Sequence, residues 1–234
     1  MGRVSRRVVA VALFASAAGP RPCLADRRKV AEYLTTEHGF DQPSIRWLTK
    51  GPPDGSPPVY YFNFDDDVHG HELWRTTLEP GSTQLLRDIK PGPDDSYPSN
   101  FAVLGASVYF AADDGIAGNE LFVSDGTPEG TVRLMDIMTG PDGSHPQSLT
   151  ECASKLYFVA RDKAHGFELW VSDGTPQGTN MVDDLSDGDS SISLLRCEGD
   201  ALHFTLGLAD DAAPKQYVTH GTKESTHTHS KDEL

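Results

Sequence analysis

The protein has 234 residues, of which 37% are hydrophobic, and this length and composition allow one or two soluble domains. Its formal net charge of −15 at pH 7 disfavours binding to nucleic-acid phosphates or anionic membrane surfaces, and favours cations or basic partners. An acidic surface also has a plainer explanation, because net charge keeps proteins soluble.

The first 25 residues have the three parts of a secretory signal peptide. Arginines lie within residues 3–7, an apolar run follows at 8–18, and a small-residue cleavage pattern ends at Ala25. The apolar run is too short for a membrane-spanning helix, which needs about 20 residues. No later stretch of the sequence qualifies either, so no transmembrane segment is expected. Cleavage after Ala25 would remove four arginines and change the net charge from −15 to −19.

The other targeting signal is the tetrapeptide at residues 231–234, formed by Lys231, Asp232, Glu233 and Leu234. A receptor reads this C-terminal sequence and retains its bearer in the endoplasmic reticulum. A retention signal acts only on a protein that has entered the secretory pathway, so the two signals support each other. Together they predict a protein of the endoplasmic reticulum lumen that binds the retention receptor.

Cleavage would leave two cysteines, Cys152 and Cys197, each a few residues before a predicted strand. An oxidising lumen favours a disulfide between them. The alternative is a pair of buried free thiols that behave as small apolar side chains.

Residues 26–58 form a lead that precedes the repeated part of the sequence. Residues 26–41 predict either a short helix carrying Val30, Tyr33 and Leu34 or a strand, because the apolar pattern is too brief to decide. The rest of the lead ends in a link rich in glycine and proline, which predicts turns.

Residues 59–222 contain a unit that recurs every 48 residues. Its clearest copy reads Glu-Leu-Trp-Val-Ser-Asp-Gly-Thr-Pro-Gln-Gly-Thr from Glu168, with a near-copy from Glu120 and a degraded copy from Glu72. Each unit combines an apolar strand containing Tyr-Phe, a polar turn, the Glu-Leu strand and an Asp-Gly-Thr hairpin. Four short strands per unit predict the blade of a β-propeller.

The predicted fold is therefore all-β, a propeller-like repeat of four-stranded antiparallel blades, three clear and one degenerate. The degenerate unit begins near Ser191, lacks the Glu-Leu-Trp motif and shows no final strand. Residues 28–36 are the candidate for supplying that strand by closing the ring; otherwise the open edge favours pairing with another chain. Residues 223–234 are expected to form a flexible polar tail that carries the retention signal.

The repeated unit resembles the ELWxxDGT-type repeats of secreted, hyalin-repeat-like proteins, over about residues 59–190. The resemblance implies a propeller-like extracytoplasmic repeat protein. It carries over no catalytic residues, because proteins of that kind mostly lack an established activity. This sequence departs from the pattern in being short, in its altered first hairpin at 75–82, and in its C-terminal tetrapeptide.

Two series of carboxylates occur once in each clear unit: Asp66, Asp114 and Asp162, and Glu72, Glu120 and Glu168. The aspartates could offer Ca²⁺ the hard oxygen ligands that it prefers, which makes calcium the candidate cofactor. The alternative is that the aspartates hold turns through hydrogen bonds and that the glutamates satisfy backbone donors. Repetition favours this alternative, because a fold needs every copy whereas a site usually needs one.

Histidines near the turns, His69, His71 and His165, are further candidate metal ligands. The middle unit has Ala117 where His69 and His165 stand, so no ring of histidines is expected. An exposed turn histidine is the better interpretation of this pattern.

No nucleophile elbow, phosphate-binding glycine loop or His-Glu-X-X-His pattern occurs, so no catalytic residue is assigned. The leading hypothesis is a non-catalytic binding or scaffold module that holds a luminal protein or glycan. The alternative is a glycan-active luminal hydrolase, or a lectin, on a propeller. A catalytic propeller should gather two carboxylates in unequal environments at one mouth, whereas a binding module should expose an aromatic or charged patch.

Overall fold

The computed structural model describes residues 24–38, 45, 47–51, 57–186, 191–207 and 213–228. Within these ranges a helix, α1 (Leu24–His38), precedes sixteen strands that form four antiparallel sheets of four strands each. The fold is thus all-β and built from propeller-like blades, as the sequence predicts. Of the helices in the described part, none is both long enough and apolar enough to cross a membrane.

The strands of each blade follow one another in the chain and pair in that order. Blade one contains β1 (Leu48–Lys50), β2 (Tyr60–Asp65), β3 (His71–Thr76) and β4 (Gln84–Arg87). Blade two contains β5 (Ser99–Leu104), β6 (Ser107–Asp113), β7 (Asn119–Ser124) and β8 (Val132–Met135). Blade three contains β9 (Gln147–Cys152), β10 (Lys155–Asp162), β11 (Gly166–Ser172) and β12 (Asn180–Met181). Blade four contains β13 (Ser191–Glu198), β14 (Ala201–Gly207), β15 (Lys215–Thr219) and β16 (His227–Thr228).

The stretch proposed to close the ring is helical. Residues 28–36 lie within α1, so the prediction of a ring-closing strand is wrong. Val30 and Leu34 are one helical turn apart and fully buried, and they pack on Phe62 of blade one. The helix is therefore the first of the two alternatives for residues 26–41, and it forms because this short apolar face has a sheet to cover.

The blades also extend beyond the predicted limits of 59–222. The lead contributes β1, whose Thr49 pairs with Tyr61. The predicted tail contributes β16, whose His227 pairs with Val218, so blade four has a fourth strand of its own. A 3₁₀ turn at Lys223–Ser225 precedes this strand. Residues 1–23 and 231–234 lie outside the described residues.

A cross-strand pair of aromatic rings marks the centre of every blade. The pairs occupy equivalent register positions on the second and third strands: Phe62 and Trp74, Phe110 and Phe122, Phe158 and Trp170, and Phe204 and Tyr217. Three of the pairs are stacked, with ring centroids 5.5–6.5 Å apart. Such pairs stabilise antiparallel strands, which explains why aromatic residues recur in the unit.

The hydrophobic core is divided into four clusters, each between neighbouring elements. They lie between α1 and blade one, blades one and two, blades two and three, and blades three and four. Among the described residues, no such cluster joins blade four to blade one. Because side chains alternate across a strand, Phe158 faces blade two while Tyr157 faces blade four.

Each of the first three blades contacts the next blade through a tyrosine and a glycine. A Cβ atom at Gly126 would stand 2.6 Å from the Tyr61 hydroxyl of blade one, and Gly174 meets Tyr109 in the same way at 2.5 Å. Both glycines have positive φ angles, +90° and +96°, which side chains rarely adopt. The Tyr of Tyr-Phe and the Gly of Asp-Gly-Thr are therefore two halves of one contact between blades.

A disulfide joins blades three and four. Cys152 at the end of β9 and Cys197 in β13 are bonded, with their Cα atoms 5.3 Å apart. Cys152 is fully buried in the cluster between these blades. The first of the two alternatives for these cysteines is therefore the one found in the structure. The bond closes a loop across 45 positions, which restricts the unfolded chain.

A hydroxyl pair seven residues apart closes the hairpin between the third and fourth strands of every blade. The pairs are Thr76 with Thr83, Ser124 with Thr131, Ser172 with Thr179, and Thr219 with Thr226, at 2.7–3.1 Å. The hairpins of the first and fourth units, which look altered in the sequence, therefore keep the same internal lock.

We predict that Thr131→Val destabilises the protein by about 1–3 kcal/mol. Thr131 is fully buried, and the substitution keeps its shape while removing the hydroxyl shared with Ser124 and with the Thr127 carbonyl. Urea denaturation measures the change. Thr139→Val, at an exposed position, is the matched control and should change stability by less than about 0.5 kcal/mol. An equal loss of stability in both variants would contradict a stabilising role for the hydroxyl pair.

Candidate functional site

The repeated aspartates each hold the turn between the second and third strands. Asp66 Oδ1 accepts hydrogen bonds from the backbone N–H groups of Val68 and His69, at 3.0 and 2.8 Å. Asp114 and Asp162 accept the equivalent pairs in blades two and three. This geometry matches the turn interpretation of the sequence.

The second oxygen of each turn aspartate faces a cationic or ring nitrogen. Asp66 Oδ2 lies 2.8 Å from His69 Nδ1, and Asp162 Oδ2 lies 2.8 Å from His165 Nδ1. Blade two has Ala117 at the histidine position, and there Arg133 contacts Asp114 at 2.6 Å instead. These histidines complete turns, and the three aspartates do not come together in any metal-ligand cluster of the described residues. Their binding of Ca²⁺ stays a prediction that this geometry does not favour.

The repeated glutamates are fully buried and tie each blade to the linker that leads to the next blade. Glu120 accepts hydrogen bonds from the N–H groups of Ile137 and Met138, at 3.2 and 3.0 Å. It also accepts from the N–H and hydroxyl of Ser144, at 3.0 and 2.5 Å. Glu72 and Glu168 make corresponding contacts.

The environments of the carboxylates are unequal. Burial raises the pKa of Glu72 to about 7, against the hydrogen bonds from Ser96, Ile89 and Lys90 that lower it. Burial also pushes up the pKa of Asp66, but hydrogen bonds from His69 and Val68 outweigh it and hold that pKa below its usual value. Glu72 has no exposed surface, so a substrate cannot reach it. Glu72 and Asp66 are thus in unequal environments, but the two do not form an accessible acid and base pair.

Among the described residues, three of the five large exposed apolar side chains lie at one end of the blades. Because the strands are antiparallel, the turns between second and third strands lie at the same end as the linkers between blades. Val68, Tyr97 and Ile116 are exposed there by 62%, 48% and 78%, and we call this surface the turn face. This surface was difficult to predict from the sequence, because a single apolar residue in a turn resembles any other turn residue.

Acidic residues surround these side chains on the turn face. Blades one and two contribute Asp65, Asp66, Asp67, Asp94, Asp95, Asp113, Asp114 and Asp142. Two basic side chains of this region are already paired: Lys90 contacts Asp113 at 3.0 Å, and Arg133 contacts Asp114. The surface thus combines apolar contacts with excess negative charge.

Asp65, His71 and Asp95 form a separate cluster on the turn face, with one candidate ligand atom from each within 4.8 Å of the others. All three side chains are half-buried. The sequence alone did not indicate this cluster, because Asp95 lies in the linker, 24 positions after His71. A comparison of equivalent positions in the units is the signal that could have found it.

A pocket of about 430 Å³ opens between blades three and four, at the end opposite the turn face. Its lining includes Lys155, Asp173, Asn180 and Lys223. Both lysines are engaged, Lys155 with the His220 carbonyl at 2.9 Å and Lys223 with an aspartate at 2.8 Å. The pocket therefore presents no unpaired cation to an anionic ligand.

No protein-family model matches this sequence, and no curated protein matches it either. Among solved structures, a puromycin hydrolase mutant complexed with PGG is similar over 80% of this chain, with 15% identity and a TM-score of 0.53. The putative TolB from Agrobacterium tumefaciens is similar over 77%, with 13% identity and a TM-score of 0.47. The computationally designed Ika8 protein is similar over 81%, with 18% identity and a TM-score of 0.45.

These likenesses cover 29%, 63% and 50% of the other chains, which is less than two thirds of each. At 15% identity, the likeness to the puromycin hydrolase shows a shared fold alone. None of the comparisons concerns the ELWxxDGT-type repeats, and membership of that group stays a prediction.

We predict that Glu72→Gln makes stability less dependent on pH between about 4.5 and 7. The pKa of Glu72 is higher in the folded state than its ordinary 4.5, so the folded state binds more protons across this interval. Stability from this group is present at low pH and is lost as the pH rises towards 7, by on the order of 3 kcal/mol.

Urea denaturation at several pH values measures the slope. Glu129→Gln, which removes an exposed carboxylate of the blade-two hairpin, is the matched control and should leave the slope unchanged. A wild-type slope in Glu72→Gln would contradict the role assigned to burial. Both variants are compared by slope, because Gln also loses hydrogen-bond acceptors and lowers stability at every pH.

Proposed function

We propose that this protein is a non-catalytic binding module that holds a basic, partly apolar segment of another polypeptide on its turn face. The observation that carries the proposal is the exposure of Val68, Tyr97 and Ile116 among excess aspartates. Apolar side chains exposed together on one surface are typical of binding sites. Excess negative charge favours a basic partner and suppresses acidic ones.

The arrangement of the repeated carboxylates supports a role without catalysis. The glutamates are sealed inside the blades, and the turn aspartates use both oxygens within their own turns or against a neighbouring strand. An acid and base pair must reach the reacting atoms of a substrate. Carboxylates that are buried, or whose oxygens are already hydrogen-bonded within the fold, do not meet this requirement.

We further propose that the protein works in the endoplasmic reticulum lumen. The predicted signal peptide and the tetrapeptide Lys231, Asp232, Glu233 and Leu234 support this location. The disulfide between Cys152 and Cys197 is compatible with an oxidising compartment. The partner is then a luminal polypeptide, in addition to the retention receptor.

We predict that fluorescently labelled peptides rich in arginine and leucine bind the full chain, measured by fluorescence anisotropy. The double variant Val68→Ser and Ile116→Ser should weaken binding by about tenfold, since it removes two apolar contacts. The double variant Val132→Ser and Leu194→Ser removes exposed apolar side chains of strands β8 and β13, outside the turns and linkers that form the turn face, and is the matched control. Equal weakening by both variants would refute the turn face as the site.

The same preparation distinguishes the glycan alternative. Incubation with high-mannose glycans, followed by mass spectrometry, should show no product. Released sugar would overturn the non-catalytic proposal in favour of a glycan-active hydrolase. Glycan binding without release, together with no peptide binding, would favour a lectin.

The proposed location has its own test. We predict that a tagged chain lacking residues 231–234 is secreted, whereas the complete chain stays in the cell, measured by immunoblotting of medium and lysate. Replacement of Lys231 to Leu234 by four alanines keeps the length and should be secreted as well. Intracellular retention of both variants would show that the tetrapeptide is not the cause.

A further inference from the structure

The comparison of equivalent positions in the repeat separates residues that the fold needs from residues that it does not. Positions that hold the blades together are occupied in unit after unit, as with Glu72, Glu120 and Glu168. A residue combination found in a single unit has no such structural requirement to explain it. Its presence needs another cause.

The cluster of Asp65, His71 and Asp95 is a combination of this kind. The equivalent positions, 48 residues later, are Asp113, Asn119 and Gly143, and in blade three the first two of these positions are Arg161 and Phe167. All of these units form the same strands and turns. Blade two therefore folds without a histidine at the start of its third strand and without a carboxylate at the position of Asp95, and blade three folds without that histidine as well.

The backbone around the cluster is firmly held. His71 donates its N–H to Asp95 Oδ1 at 2.6 Å, and its carbonyl accepts from the N–H groups of Ser96 and Tyr97 at 3.1 Å. The Tyr97 ring lies against the His71 ring, with centroids 5.4 Å apart. Asp65 Oδ1 accepts from the Asp67 N–H at 2.8 Å. Turn, strand and linker are thus fixed relative to one another before any ligand arrives.

One atom of the cluster lacks a partner that its burial calls for. His71 Nδ1 is buried and makes no hydrogen bond in the structure. A buried polar atom without a partner costs about 1–3 kcal/mol, and coordination of an ion would remove this cost. Imidazole nitrogen and carboxylate oxygen are also both ligands of protein-bound Zn²⁺.

We propose that Asp65, His71 and Asp95 bind a divalent transition-metal ion of the Zn²⁺ class. Zn²⁺ accepts imidazole nitrogen and carboxylate oxygen together, and three protein ligands leave a position for water. Ca²⁺ fits less well, because it takes six to eight ligands that are all oxygen. The site lies on the turn face beside Tyr97, but its proposal does not depend on peptide binding there.

The residues at equivalent positions of blade two indicate which substitutions blade one should tolerate. His71→Asn places the blade-two residue at this position and removes the ligand from a backbone that tolerates asparagine in blade two. His69→Ala likewise matches Ala117 and removes a neighbouring histidine that pairs with Asp66 instead. Asp95→Asn keeps an oxygen to accept the His71 N–H while removing a charged ligand. Circular dichroism and melting in metal-free buffer confirm that each variant is folded.

Isothermal titration of the full chain with Zn²⁺ tests the proposal, with Ca²⁺ titrated in parallel. The wild type should bind one Zn²⁺ in addition to any binding that all variants share through the histidines of the C-terminal region. His71→Asn and Asp95→Asn should weaken this site by more than about tenfold, and His69→Ala should change it by less than about twofold. Ca²⁺ should not compete.

Binding in His71→Asn as tight as in the wild type would overturn the proposal, as would stronger binding of Ca²⁺ than of Zn²⁺. A wild type without any site beyond the shared binding would overturn it as well. The peptide-binding measurement is made with a chelator present, so its outcome does not depend on whether the protein binds Zn²⁺.

Discussion

A buried carboxylate in each of the first three blades is the interaction on which the rest of the structure depends. Glu72 accepts hydrogen bonds from Ile89 near the start of the linker and from Ser96 near its end. Because this linker carries the chain into the next blade, the glutamate fixes where that blade begins. Asp95 and Tyr97 flank Ser96, so the same contact positions the turn face. The cost of burying the carboxylate is offset by donors that would otherwise be unsatisfied in the interior.

The tyrosine and glycine of the repeated motif are replaced in the first and last blades for a structural reason. A hairpin glycine is needed where the tyrosine of the preceding blade approaches it. Blade one follows α1 instead of a blade, and Leu78 occupies the glycine position and packs against the hydrophobic cluster between α1 and blade one. Blade four has His203 at the tyrosine position, where no further blade is present among the described residues. The sequence therefore departs from its repeat where the partner of the motif is different.

The blades could be predicted from the sequence because their signals are local and repeated. The aromatic strands, the Asp-Gly-Thr hairpins and the structural use of Glu120 all follow from spacing and turn chemistry. Helix α1 could not be decided, since its apolar face has only a few residues and needs blade one to bury it. β16 was missed because two residues, His227 and Thr228, give no strand pattern. The cluster with His71 was missed because the linker folds back onto the strand, a contact that sequence spacing does not contain.

The outer faces of blades one and four bear on the proposal that the turn face binds another polypeptide. In the first three blades a leucine of the third strand, Leu73, Leu121 or Leu169, is fully buried against the next blade. Blade four has the exposed, polar Gln216 at this position, and Gln216 donates to Thr205 at 2.8 Å. At the other side, α1 covers the apolar face of blade one. Terminal units of repeat proteins need such polar or covered faces to stay soluble. Among the described residues, three of the five large exposed apolar side chains lie on the turn face, which agrees with the binding role proposed for that surface.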